Sequence, residues 1–429
     1  MVLNRSQVIK FILSFLFLTS IAYLGIGLKR TDTLALFICF SSAYFAYFWI
    51  CSNTLSIKQL LLLGVTARLI LFWILPNLSD DFYRFLWDGQ LIKNGISPYA
   101  ILPTEAIELN LACCTTDALQ LLNSPNYYSI YPPLNQFIFW LSSIVSSPLG
   151  AIGLIRILLL FADLGALFLI NRLQPKSNHG RWLFLNPLLI WEGVGNVHFE
   201  PFVIFFILFF LYQLSKSNLV AAGWGWGLAM ATKLVPLIFI PTLLFKFGWK
   251  NGGILIITGL TVFMVSMAPL LQLLPQSGFL SSLALYFNYF EFNASIYYLI
   301  RALGFWIKGY NIIGSLGPIL GIFTALIISS YVLWRSQTQD SLASLLLFSL
   351  TIYLLMSTTV HPWYLLTLLP LGLLSGYWFP VLWSMTACWS YFGYTALGYD
   401  MPVSWVVAEY IILSVSIVFE IKRKYEKYF

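Results

Sequence analysis

Three carboxylates and a guanidinium crowd into Ser79-Asp80-Asp81-Phe82-Tyr83-Arg84-Phe85-Leu86-Trp87-Asp88-Gly89, directly after a long apolar stretch. If this segment is helical, Asp81, Arg84 and Asp88 stand three to four positions apart and share a face. One of two adjacent carboxylates can then take a proton from an attacking hydroxyl while the other orients a substrate or a metal. The plainer alternative is a salt-bridged helix start, where acidic side chains suit the N-terminal dipole. A second cluster follows Asn186-Pro187 and runs Glu192-Gly193-Val194-Gly195-Asn196-Val197-His198-Phe199-Glu200 between two short apolar runs. At membrane depth Glu192, Asn196, His198 and Glu200 are costly unless they line a cavity in the protein, so they read as a site; the alternative is a structural hydrogen-bond knot.

A third group is Thr358-Thr359-Val360-His361-Pro362-Trp363-Tyr364, where a span starts with proline in its first turn. His361 and Trp363 are the candidates there, although the Trp-Tyr pair also fits an interfacial aromatic belt. Glu291 and Asn293 with Arg301, and the intramembrane Lys233, add charges able to meet an anionic lipid phosphate; Arg301 and Lys308 equally suit nonspecific headgroup contact. Outer-face carboxylates, histidines and a cation at the bilayer edge suit sugar transfer from a lipid phosphate. The acceptor hydroxyl needs a base, the sugar passes through an oxocarbenium-like state, and the departing phosphate needs positive charge or donors. Nothing resembles a P-loop, a dinucleotide fingerprint or a zinc-protease helix.

The elements that must position these residues are apolar. Of 429 residues 59% are hydrophobic and 9% charged, with a mean hydropathy of +0.83, so water is not the main solvent. Apolar runs cover 8–28, 33–51, 57–75, 151–171, 181–192, 200–214, 219–232, 236–247, 251–273, 312–334, 341–357, 363–376, 380–396 and 404–421. They predict an all-α polytopic membrane protein, a bundle of about 12–14 transmembrane helices. It is expected to be a single integral membrane domain over 1–429, with a long first external loop over 76–150 that contains surface helices and carries the acidic motif. A second external loop is expected over 274–311. The first run lacks a small-residue cleavage site and reads as a retained span. The helical run Tyr131–Ser147 reads as a surface helix, because counting it as a span would reverse everything downstream.

Orientation follows from Lys and Arg in short cytoplasmic loops. Arg5, Lys10, Lys58, Arg172, Lys176, Arg181, Lys216, Lys246, Lys250, Arg335 and the tail Lys422, Arg423, Lys424 and Lys427 fall inside if the N-terminus does, while Lys29 and Arg30 violate the rule. Both termini are then cytoplasmic, and the acidic site faces the periplasmic or outer side of the plasma (inner) membrane. The net charge of +7 is scattered between apolar runs and forms no basic face, so no nucleic acid partner is expected. Cys39, Cys51 and Cys388 lie in apolar runs, and Cys113-Cys114 sits in a polar loop without metal-ligand spacing; no cysteine function is expected.

Asp80-Asp81 with Arg84 and Trp87-Asp88-Gly89, then Tyr131-Pro132-Pro133-Leu134, Asn186-Pro187-Leu188, Glu192 through His198, Lys233, Phe292-Asn293 and His361-Pro362-Trp363-Tyr364 occur in an order that resembles the GT-C superfamily of membrane glycosyltransferases. The nearest likeness is to bacterial polyprenol-phosphate-mannose-dependent mannosyltransferases, over most of the chain from about residue 64. The resemblance implies an inverting transferase that moves a sugar, with mannose favoured, from a polyprenyl-phosphate donor to a glycan, lipid or protein acceptor on the outer side. It places the catalytic base at Asp80 or Asp81, with Asp80 preferred, and Tyr131 in the external loop region. Arg84, Asp88, Tyr131, Glu192, Asn196, His198, Glu200, Lys233, Glu291, Asn293, Arg301, His361 and Trp363 are then the candidate substrate-binding residues. Related sequences often carry His-x-Asp where this one has His198-Phe199-Glu200, which leaves a divalent cation, Mg or Mn, an open question. Other readings are a lipid-linked sugar transporter or flippase, which predicts polar residues deep in the spans and repeat symmetry, and a non-catalytic membrane assembly subunit.

Overall fold

The computed structural model describes residues 5–271, 278–288, 290–337 and 340–426. Lys427, the end of the 251–273 run and the first residues of the expected 274–311 loop lie outside the described residues. The protein is 75% helical with almost no strand, an all-α polytopic membrane protein. Large apolar side chains point outward along its helices: Phe11 is 69% exposed, Phe161 67% and Val265 70%. Such a surface would drive association in water, whereas hydrocarbon solvates it.

Six described helices are long and apolar enough to cross a membrane: Arg5–Ile26, Thr33–Ser52, Pro148–Leu173, Val235–Leu271, Ile313–Arg335 and Val403–Lys424. A seventh candidate is the pair Leu189–Gly195 and Glu200–Ser215, bent by 112° at the second polar cluster. The remaining expected runs fold as shorter apolar helices such as Leu219–Thr232 and Leu342–Met356. Two runs, 236–247 and 251–273, join in one element, Ile240–Leu271, broken at Gly248, whose φ of 71° suits glycine. The run 380–396 ends in a small hairpin, Tyr394–Thr395 against Gly398–Tyr399. Within the helical run expected over Tyr131–Ser147 the helix is Pro133–Ser142, ten residues and too short to cross.

The chain divides into two compact units. One comprises Met1–Leu78, Arg156–Pro201 and His361–Phe429, the other Ser79–Ile155 and Phe202–Val360. In the first unit, Arg68 donates from Nε to Asp163 at 2.7 Å, with both side chains fully buried. The same guanidinium donates to the carbonyls of Gly64 and Phe184. Charges this deep persist only when paired, so Arg68 and Asp163 fix their two helices to one another. Trp383 similarly donates its indole N–H to the buried Glu409 at 2.8 Å.

In the second unit, Gly223 and Gly227, four positions apart on Leu219–Thr232, let that helix pack closely on Ile240–Leu271. A Cβ at Gly227 would stand 2.6 Å from the Gly259 carbonyl oxygen. Gly89 does the same between Asp81–Lys93 and Pro133–Ser142, where any Cβ would collide with the Phe139 carbonyl.

Candidate active site

The acidic motif of the second unit forms the helix Asp81–Lys93. Its faces separate two kinds of carboxylate. Asp88 is fully buried: Oδ1 accepts from Arg84 Nε at 2.7 Å, and Oδ2 accepts from Gln136 Nε2 at 2.8 Å and from the Ser129 hydroxyl at 2.5 Å. Arg84 is also buried, and it donates to the carbonyls of Ser124 at 3.1 Å and Tyr127 at 2.9 Å. This network binds the helix to the loop before Tyr131 and to the Pro133–Ser142 helix. Tyr131 completes the junction, its ring edge-on to Phe85 at 5.0 Å and to Phe139 at 5.4 Å, while its carbonyl accepts from the Tyr99 hydroxyl at 2.6 Å.

Asp80 and Asp81 lie at the open end, both half-buried. Asp80 occupies the N-cap position yet its side chain does not cap the helix, although aspartate is among the best N-cap residues. The carboxylate is thus kept out of the local bond its type favours. Asp81 accepts from the Asn123 side-chain amide at 2.7 Å. Burial, followed by the charge of Asp80, raises the pKa of the Tyr83 hydroxyl above its ordinary value.

Other candidates of this unit fall in separate places. Lys233 ends the Leu219–Thr232 helix with extended backbone, and the preceding Thr232 carbonyl accepts from buried Asn135 at 3.1 Å. Arg301 is engaged by Glu291, to which Asn311 also donates, and its guanidinium lies 4.3 Å from the centre of the Tyr298 ring. Any phosphate reaching Arg301 competes with that carboxylate. Asn293 is fully buried with φ of 45°, next to Phe292, whose backbone pairs with the Thr358–Val360 segment.

In the first unit, His361 and Trp363 of the third motif meet the second motif. Residues Leu189–Gly195 form a wide π turn, and the Asn196 N–H reaches back to the Trp191 carbonyl at 2.8 Å. Val197 then adopts φ of 56°, an outlier for a β-branched residue that stores strain of order 1–3 kcal/mol. That reversal lets the His198 N–H bond the Glu192 carbonyl at 3.0 Å. Buried Arg156 holds the turn by donating to the carbonyls of Val194 at 2.9 Å and Gly195 at 2.6 Å.

The Glu192 carboxylate is fully buried. Oε2 lies 2.9 Å from His198 Nδ1 and accepts from Asn196 Nδ2 at 3.2 Å, and Oε1 accepts from the Tyr391 hydroxyl. His198 stacks on Trp363 at 3.8 Å between ring centres, and His361 stacks on Trp363 at 4.3 Å, with interplanar angles of 13° and 3°. The indole therefore lies between two imidazoles, each close enough for cation–π attraction when protonated. Glu200 begins the next helix, buried, where a carboxylate suits the N-terminal dipole. Asn186 fastens the preceding turn: Oδ1 accepts from the N–H groups of Leu188 and Leu189, and Nδ2 donates to Ser384 at 3.0 Å.

The reading of the sequence did not single out Tyr391, Arg156, Asn123, Gln136 or Ser129. Arg156 alone carried a signal, as a cation inside an apolar run. Among the described residues no group of three or more His, Cys, Asp or Glu side chains converges to hold a metal ion.

A helical bundle solvated by lipid, with these polar clusters at the ends of its apolar runs, belongs to the GT-C class of membrane glycosyltransferases. Residues 19–247, more than half of the chain, match the family model described as Alpha-(1->6)-mannopyranosyltransferase, N-terminal domain, and the chain belongs to this MptA_B family. It is a membrane-embedded mannosyltransferase. The matched region holds every candidate from Asp80 to Lys233 and ends before Glu291, Asn293, Arg301, His361 and Trp363. No curated protein and no solved structure matches the chain.

Proposed function

We propose that the protein transfers mannose, with inversion, from a polyprenyl-phosphate donor to an acceptor hydroxyl at the outer face of the plasma membrane. A carboxylate of the Asp80-Asp81 pair, preferably Asp80, takes the acceptor proton as the acceptor oxygen bonds to the sugar's anomeric carbon. The bond from that carbon to the phosphate oxygen breaks, and polyprenyl phosphate departs. The observation that carries this reading is the division of labour along one helix. Asp88 is fully buried beneath three buried donors, whereas Asp80 and Asp81 are only half-buried at the helix start. A general base must be reachable by its substrate, which half-burial allows and full burial does not.

Placement on the outer face is supported by how the basic loops gather within each unit. In the first unit Lys10 donates to Thr54, Gln174 to Leu374, and Arg181 and Lys424 to the carbonyls of Asn53 and Ser375. Loops that the charge rule puts inside thus meet each other. At the opposite helix ends Asn77 donates to the carbonyls of Leu24 and Leu28. In the second unit Lys246 donates to the Asp340 carbonyl, and Arg335 pairs with the Asp340 carboxylate. In the same unit the half-buried Glu291–Arg301 pair supplies further groups for binding sugar or phosphate.

The test uses purified protein in lipid vesicles, offered labelled mannose either on polyprenyl phosphate or on a nucleoside diphosphate. Transfer from the lipid donor alone is expected. Transfer from the nucleotide donor alone would refute the donor assignment and return the acidic helix to a structural role.

A further inference from the structure

The adjacent thiols of Cys113 and Cys114 are the only cysteines within Ser79–Ile155 and Phe202–Val360. They sit in the turn Leu111–Cys114, closed by the Cys114 N–H to the Leu111 carbonyl at 2.9 Å. Side chains of neighbouring residues in extended chain diverge, yet here the two sulfurs lie 3.5 Å apart. Cys114 is buried against Trp87, Leu91, Ala106 and Leu122, and Cys113 is half-exposed. The Asn94 amide, at the end of the acidic helix, lies 3.9 Å from the Cys113 sulfur. The turn therefore belongs to a cap over the acidic helix. The residue after Leu122 in that cap is Asn123, which donates to Asp81.

We infer that Cys113 and Cys114 form a modification site, a reversible disulfide between neighbouring residues that staples this cap over the acidic helix. The inference rests on the outer-face placement proposed above, because only an oxidising compartment keeps such a bond. Cys113, the more accessible sulfur, attacks one sulfur of a small-molecule disulfide as the thiolate, giving a mixed disulfide and releasing the first thiolate. Cys114 loses its proton to water and attacks the Cys113 sulfur, closing the ring and expelling the second thiolate. Two protein thiols are oxidised and one external disulfide is reduced to two thiols. Burial and the neighbouring Cys113 push the Cys114 thiol up to about 12, which suits the second role better than the first. Adjacent Cα atoms are about 3.8 Å apart, below the span of about 4.4–6.8 Å usual for disulfides, so the bond is strained and reducible.

The test treats right-side-out cells and permeabilised membranes holding the full-length protein with oxidised glutathione, quenches with N-ethylmaleimide and weighs the peptide that carries both cysteines. The expected product in both preparations is a peptide lighter by two hydrogens, without maleimide or glutathione, and dithiothreitol restores two alkylatable thiols. Cys113→Ser and Cys114→Ser each lose that product. If both thiols remain alkylatable, or each carries its own glutathione, the disulfide site is refuted whatever the transferase activity. If the product appears only after permeabilisation, the chemistry stands and the outer-face placement fails.

Discussion

Tyr391 donates its hydroxyl to the buried carboxylate of Glu192, 199 positions earlier in the chain. On the other oxygen of that carboxylate lies the Nδ1 of His198, whose ring stacks on Trp363. Removing the hydroxyl takes one donor from a buried charge that water cannot resolvate. Tyr391→Phe is expected to cost about 1.5–3 kcal/mol of stability, read as a lowered melting temperature in detergent.

The Trp363 indole, between two imidazoles, contributes in proportion to ring overlap. Trp363→Leu keeps bulk but removes both stacks, each worth about 0.5–1.5 kcal/mol. Trp363→Phe is expected to recover part of the loss. Equal melting temperatures for the two variants would show that the stack contributes nothing.

Asp88 and Arg84 brace the helix that carries Asp80. Asp88→Asn leaves the buried guanidinium without its carboxylate, and a loss of about 3–5 kcal/mol is expected from thermal or denaturant unfolding. Asp80→Asn, at the half-buried end, is expected to leave unfolding within about 0.5 kcal/mol of the original.

Gly89→Ala drives a methyl group into the Phe139 carbonyl. Because the obstacle is backbone, the helices must separate, at a cost of about 1–3 kcal/mol in the same unfolding measurement.

His179 provides a pH signature outside the spans. Burial lowers its imidazole pKa below the ordinary value. A base whose pKa falls on folding takes up protons more readily when unfolded, so stability is whole above the unfolded value of about 6.5 and declines as pH falls below it. The melting temperature is expected to drop on acidification, and His179→Gln is expected to flatten that part of the profile.

Helical periodicity and apolar length are local properties, which is why the sequence disclosed the Asp81–Lys93 helix, a short helix after Tyr131 and nearly every apolar run. What it hid depends on distant partners. Tyr391 looks like one more aromatic in an apolar run until Glu192 is placed beside it. Arg68 and Arg156 are visible in the sequence as cations inside apolar runs, but only packing pairs one with Asp163 and aims the other at the carbonyls of the Glu192 turn. The glycines at 193 and 195 signal a broken helix, whereas positive φ at Val197 runs against the residue's own preference and follows from its surroundings. For the same reason the spacing of Asp80, Asp81 and Asp88 could not say which carboxylate is committed to the scaffold.

The measurement that bears most directly on the central claim compares mannose transfer from polyprenyl-phosphate mannose by the original protein, Asp80→Asn and Asp81→Asn, in vesicles at matched protein level and matched melting temperature. The account predicts that Asp80→Asn folds normally and loses transfer by about 100-fold or more, the scale of a missing general base. Full activity in both variants, with the fold intact, would contradict it.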